Sequence, residues 1–147
     1  MSGTRPRWGR DLADRVGEVL RETSAEVIEP RFSALSSMEV RSKAAGELVT
    51  VADLDAERLL TRRLTDLLPA AVVGEEACAE DPTLLAGLGS ARAWLVDPLE
   101  GTTNFVEGNP AWAVMVALCE QGRTVVSWIC QPTSQTMHTA QAGGAIG

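Results

Sequence analysis

Acidic side chains in this sequence stand directly after short apolar segments, where carboxylates can bind a cation. Asp97 and Glu100 follow an apolar run that ends at Val96. Glu75 and Glu76 follow a second apolar run in the same way. Carboxylates beside a buried strand end cost free energy unless something pairs with them, and hard divalent cations prefer oxygen ligands. The two segments therefore favour a site for a divalent cation.

Asp53 and the hydroxyl groups of Thr102 and Thr103 extend this set of oxygen atoms. Asp53 follows Thr50 at the spacing of a helix capping box, so it can serve as a helix cap and as a site residue at once. The backbone N–H groups of Gly101 and Thr102, if they open a helical turn, would face an anion. Carboxylates, a cation and exposed N–H groups together suit hydrolysis of a phosphate ester.

Each of these segments also has a purely structural interpretation. Asp97 followed by Pro98 is a good turn opening, because Asp accepts backbone hydrogen bonds and proline presets φ. Glu75 and Glu76 could form a solvated strand end, and Asp53 could be a helix cap alone. Taken singly, the segments leave both alternatives open. Their presence together in one chain favours the cation site.

Composition excludes several other classes of function. The chain has 147 residues, 45% apolar content and a net charge of −7, which predict one globular domain and argue against nucleic acid as a partner. The longest apolar run is too short to span a bilayer and no signal peptide opens the chain, so we expect no membrane partner and a cytoplasmic protein. Three cysteines without C-x-x-C spacing predict free thiols. His138 is the single histidine, which leaves the carboxylates to carry any chemistry.

The elements that would position these residues follow from apolar spacing. Apolar residues at helical spacing predict one helix over 11–28 and a second over 50–69, each ended by a proline. Short strands follow, and from Ala111 onward they predict an antiparallel meander with a turn at Gln121 and Gly122. The predicted fold class is α+β, with two N-terminal helices packed on a mostly antiparallel sheet.

The segment WLVDPLEGTTNF resembles the inositol monophosphatase signature W-x-x-D-P-[IL]-D-G-T-x-N-F. Upstream, LVTVADLDAE resembles the V-T-x-x-D helix start of this family, and VVGEE resembles its G-E-E strand end. The closing TAQAGGAIG resembles its glycine-rich hairpin. The resemblance runs from Leu12 to Gly147. It implies that residues 1–147 form a single domain similar to the N-terminal half of the family's αβαβα sandwich, with the C-terminal half absent.

The resemblance also implies a set of metal ligands. By likeness to the family, Glu75 and Asp97 would ligate a first magnesium ion (Mg²⁺), and the backbone carbonyl of Leu99 would add a further ligand. Asp97 would bridge to a second Mg²⁺. Glu100 stands where the family has the Asp that binds this second ion.

Catalytic roles are implied for neighbouring residues in the same way. Thr102 would orient the attacking water with Asp53 behind it, and Glu76 would assist from further away. The N–H groups of Gly101 and Thr102 would hold the phosphate. The implied reaction is in-line attack of metal-activated water on phosphorus without a covalent phosphoenzyme. The implied partner is a small phosphorylated polyol: inositol monophosphate, histidinol phosphate or a sugar phosphate.

Two departures from the family pattern leave a second function open. Glu100 replaces the usual Asp, and family members are much longer and carry another metal-binding Asp in a W-D-x-A-A-G segment. The alternative is a catalytically impaired short family member that acts as an interaction module or is a non-functional remnant. An apolar sheet face left uncovered would also favour association, so we expect a homo-oligomer.

Overall fold

The computed structural model describes residues 10–32, 40–42, 48–142 and 144–145, and within them helices pack on a sheet. The described helices are α1 (Arg10–Thr23), α2 (Val51–Leu67), α3 (Glu75–Glu80) and α4 (Thr102–Val106). Two short strands, β1 (Val40–Ser42) and β2 (Leu48–Thr50), pair with each other in an antiparallel ribbon.

The main sheet among the described residues has six strands in chain order. They are β3 (Ala71–Gly74), β4 (Ala93–Glu100), β5 (Ala113–Glu120), β6 (Arg123–Gln131), β7 (Thr136–Gln141) and β8 (Gly144–Ala145). β3 and β4 are parallel, and every later neighbouring pair is antiparallel. The predicted α+β class and the meander are therefore confirmed.

The first helical segment differs from its prediction at its end. The α-helix stops at Thr23, and the chain continues through a π-helical turn at Ser24–Ile28 and a 3₁₀ turn at Glu29–Arg31. Pro30 lies at the start of the 3₁₀ turn, where its missing N–H costs no hydrogen bond. The proline therefore begins a tighter turn and does not terminate the helical path.

The second predicted helix is confirmed as α2, which ends before Pro69. Thr50 caps it: the Thr50 hydroxyl accepts from the N–H groups of Ala52 and Asp53 at 3.1 and 3.3 Å. The apolar spacing of this segment predicts a buried face made of Ala56, Leu59, Leu60, Leu64 and Leu67, and the buried stripe of α2 differs from it. Leu59 and Leu67 are only partly buried, whereas two acids belong to the stripe. Its buried residues are Ala52, Asp53, Ala56, Glu57, Leu60 and Leu64.

Two tryptophans fasten the helices to the core face of the sheet. Trp94 and Trp128 are fully buried, with ring centroids 6.0 Å apart. The Trp94 indole N–H donates to the carbonyl of Leu68 at 2.9 Å, and the Trp128 indole N–H donates to that of Ala13 at 3.1 Å. Each indole thus buries apolar area and also donates to a backbone carbonyl, one in α1 and one directly after α2.

A second aromatic group supports α4. Phe105 contacts Trp112 edge-on with centroids 5.1 Å apart, and Phe32 lies 5.5 Å from both rings. Since Phe105 is the buried residue of α4, this contact anchors the short helix that starts at Thr102.

The predicted free thiols and the predicted turn of the meander are both confirmed. Cys119 and Cys130 are buried, Cys78 is half-buried, and all three are free. Gln121 and Gly122 both have positive φ, as a tight hairpin turn requires. None of the described helices is long and apolar enough to cross a membrane.

Candidate active site

The parallel pair β3–β4 brings the two acid-bearing segments together. Gly74 is the register partner of Val96, and the chain places Glu75 directly after the first and Asp97 directly after the second. Both carboxylates therefore lie at the same end of this parallel strand pair. The predicted strand end at Glu75 and Glu76 is corrected in one respect: the two residues form the first turn of α3 and not the last part of a strand.

The pKa of the Asp97 carboxyl group is strongly perturbed. Its burial, followed by hydrogen-bonding contact with Glu75 and Glu100 and by their charges, raises the pKa of Asp97 to about 10. One oxygen, Asp97 Oδ1, is buried and has no hydrogen-bond partner. Asp97 thus contacts two other carboxyl groups and has one buried oxygen atom that lacks a hydrogen-bond partner in the described structure.

These carboxyl groups do not form a finished cage. No group of three or more His, Cys, Asp or Glu side chains in the described ranges has the spacing to hold a metal ion. The contacts run in pairs from Asp97 to Glu75 and to Glu100. Such pairs share protons when no cation offsets their repulsion. The donor chemistry and the unsatisfied Asp97 oxygen nonetheless fit a hard divalent cation such as Mg²⁺.

A bulge in β4 shapes the segment between the acids. The pairing with β5 shifts between Asp97 and Glu100, at Pro98 and Leu99. Proline lacks the N–H that a regular ladder needs, and within sheets it is confined to such irregular or edge positions. The Leu99 carbonyl here accepts a hydrogen bond from the Thr102 hydroxyl at 3.1 Å, which links the strand end to α4.

Gly101 makes the turn into α4 possible. Its φ is +87°, a conformation that residues with a side chain rarely adopt. A Cβ atom at this position would lie 2.8 Å from the carbonyl oxygen of Ala111, and the same oxygen accepts from the Asn104 side-chain amide at 2.9 Å. Close approach of two backbone segments therefore also requires glycine here.

Thr102 and Asp53 are joined in a partly buried hydrogen-bond chain. The Thr102 hydroxyl lies 3.1 Å from Asp53 Oδ1 and can donate to it or to the Leu99 carbonyl. Asp53 is fully buried, and its Oδ2 accepts from the N–H and hydroxyl of Thr50 at 2.8 and 2.7 Å. A Thr102 hydroxyl that donates to a fixed carboxylate keeps its lone pairs for a water molecule.

Glu76 faces α2 in the structure. It is buried and lines a cavity of about 290 Å³ between α2 and α3, together with Arg58 and Glu80. The carboxyl groups that perturb Asp97 are Glu75 and Glu100. The structure thus places Glu75 and Glu100 each in contact with Asp97. It also brings Asp53, Leu99 and Thr102 together.

Glu57 is the site-region residue that the sequence analysis missed. Its Oε1 accepts from the N–H of Glu76 at 2.7 Å and its Oε2 accepts from the N–H of Ala77 at 2.9 Å. The available signal was its position four residues after Asp53 on the same helix, which places both acids on one face. Apolar spacing alone does not reveal it, because Glu57 is an acid on a mostly apolar face.

The fold is that of known phosphatases. A solved IMPase from Thermotoga maritima matches with a TM-score of 0.77 at 24% identity, covering 91% of this chain and 49% of that one. The curated inositol-1-monophosphatase of Rhizobium meliloti is 36% identical over 114 residues, covering 77% of this chain and 41% of its own length. The inositol-1-monophosphatase of Mycobacterium leprae is 35% identical over 134 residues, covering 90% and 46%.

The family assignment follows from these matches and from the family model. The model of the inositol monophosphatase family matches residues 11–146, so the chain belongs to this family. The chain spans about half the length of the relatives it matches, between 41% and 49% for the three proteins above.

Proposed function

We propose that this chain acts as a magnesium-dependent phosphomonoester hydrolase on a small phosphorylated polyol, such as inositol monophosphate. The observation that carries the proposal is that Asp97, which has an unsatisfied buried oxygen, contacts the carboxyl groups of both Glu75 and Glu100. The relatives named inositol-1-monophosphatase support the reaction class. Histidinol phosphate and sugar phosphates are the neighbouring substrate candidates.

The ligands for Mg²⁺ in this proposal are carboxylates and one backbone carbonyl. Glu75 and Asp97 would hold the first ion with the Leu99 carbonyl, and Asp97 and Glu100 would hold a second. The chemistry that such ions supply when bound is a lower pKa for water and charge neutralisation at the leaving oxygen.

The remaining residues bind and orient. Thr102 lies beside both the Leu99 carbonyl and Asp53, so its hydroxyl can orient the attacking water while Asp53 fixes the direction of its proton. The backbone N–H groups of Gly101 and Thr102, at the start of α4, would receive the phosphate oxygens. Glu76 assists from its buried position beside α2.

Location and assembly complete the proposal. Free thiols suit a reducing compartment, which favours the cytoplasm. Leu95 is exposed on the sheet, which favours association with a second copy.

The reaction is tested by phosphate release from inositol monophosphate, histidinol phosphate and a sugar phosphate, with Mg²⁺ and with chelator. We expect Mg²⁺-dependent release, reduced about 100-fold or more by Thr102→Val because the water loses its orienting group. Thr103→Val is the matched control, because Thr103 is exposed and adjacent. Release that survives chelation, or equal loss in both variants, would contradict the proposal. Absence of release by the unmodified chain would favour the interaction module.

A further inference from the structure

Glu57 occupies an unusual place for a carboxylate. It belongs to the buried stripe of α2 and is only 8% exposed. Its two oxygens accept from consecutive N–H groups, those of Glu76 and Ala77, in the first turn of α3. A side chain on one helix therefore satisfies two backbone donors at the start of another.

Gly74 shows how closely the two segments approach. A Cβ atom at Gly74 would collide with the carboxyl group of Glu57. The last residue of β3 must therefore be glycine for Glu57 to reach the start of α3. Glu75 lies between Gly74 and Glu76, so contacts with Glu57 fix the backbone on both sides of it.

Asp53 holds the segment after β4 in the way that Glu57 holds the segment after β3. It lies four residues before Glu57, which is about 6 Å along the helix axis. Its carboxylate contacts Thr102 after β4, whereas that of Glu57 contacts α3 after β3. One helix face thus holds the chain segments that follow both parallel strands.

We propose that Glu57 is a positioning residue that sets the location of Glu75 relative to Asp97, and with it the affinity of the site for Mg²⁺. The inference rests on the proposed function, because it assigns Glu75 to the metal. Glu57 itself touches α3 and not the reacting atoms. Glu57 acts on the site through the backbone of Glu75, which lies between the two residues that Glu57 approaches.

Calorimetric titration with Mg²⁺, and with Mn²⁺ as a second probe, tests the proposal in four variants. Glu57→Asp keeps the charge but is too short to reach both N–H groups, and Glu57→Gln places an amide against a donor. Gly74→Ala displaces the same carboxylate from the other side. We expect each to weaken binding about 10–100-fold, the usual effect of groups that orient metal ligands. Glu80→Gln, which removes a charge from the same cavity, should bind like the unmodified chain.

A metal-free measurement separates this inference from the proposed function. Hydrogen exchange at the amides of Glu76 and Ala77 should accelerate in Glu57→Asp and Glu57→Gln but not in Glu80→Gln. If the unmodified chain binds neither ion, the proposed function fails. The exchange rates still test whether Glu57 holds the start of α3 in place. Unchanged exchange in the Glu57 variants, or cation affinity in Glu57→Asp equal to that of the unmodified chain, would overturn the inference.

Discussion

Glu100 is the single residue at which this chain departs from the family signature inside the candidate metal site. Glu carries its carboxylate one C–C bond further than Asp, roughly 1.5 Å. Mg²⁺ requires near-ideal ligand positions at about 2.0–2.1 Å, whereas Ca²⁺ accepts looser geometry. We expect Glu100→Asp to tighten Mg²⁺ binding and to change Ca²⁺ binding less, measured by calorimetry. Equal Mg²⁺ affinity before and after the exchange would mean that Glu100 only shapes a turn.

We expect the ionised Asp97 carboxylate to destabilise the fold without metal and to stabilise it when Mg²⁺ is bound. Burial and two neighbouring carboxyl groups raise its pKa from 3.8 to about 10, so the metal-free folded state holds a proton that the unfolded state releases. This contribution to stability is present below pH 3.8 and is lost as the pH rises toward 10. Asp97→Asn should therefore raise the melting temperature in chelator at pH 7 and abolish the further rise with Mg²⁺. A lower melting temperature in chelator would show that the ionised carboxylate stabilises the fold.

Among the elements, the turn from β4 into α4 depends on Gly101. Its positive φ and its distance to the Ala111 carbonyl predict that Gly101→Ala lowers the free energy of unfolding by about 1–3 kcal/mol. Gly89→Ala is the control, because a Cβ atom there meets nothing within 4 Å, and its effect should stay within about 0.5 kcal/mol. Urea unfolding of both variants measures the difference. Equal effects would show that the turn tolerates a side chain.

The sequence predicted elements where local chemistry decides them. The capping box at Thr50 and the apolar repeat of α2 are local signals, and the helix follows them. No local pattern in the sequence predicts the π-helical turn after Thr23. Glu57 was missed for a related reason: an acid on a helix face is normally solvated, and only tertiary contact with α3 explains its burial. The motifs placed Glu75 and Asp97 in one site, but their contact depended on parallel strand pairing.

For the whole molecule, we expect self-association through the sheet face opposite the core. Leu95 is 37% exposed on a central strand, and by strand register Ala117, Ser127 and Ala140 lie across from it. Small side chains beside an exposed leucine allow a second copy to approach closely. We expect a dimer or larger species by light scattering after size exclusion, shifted toward monomer by Leu95→Glu. Leu84→Glu serves as the comparison on a different segment, and a clean monomer at high micromolar concentration would contradict this expectation.

The hydrogen bond from the Trp128 indole to the carbonyl of Ala13 has a consequence for synthesis on the ribosome. It joins residues 115 positions apart, one near the start of the described chain and one on β6. Closing a loop of that length costs about 4 kcal/mol of entropy. During vectorial synthesis, α1 leaves the exit tunnel long before β6 exists, and its apolar stripe can meet α2 but not the sheet. Docking of α1 on β6 is therefore a late event. Until β6 emerges, the apolar stripe of α1 is accessible to chaperones that bind nascent chains.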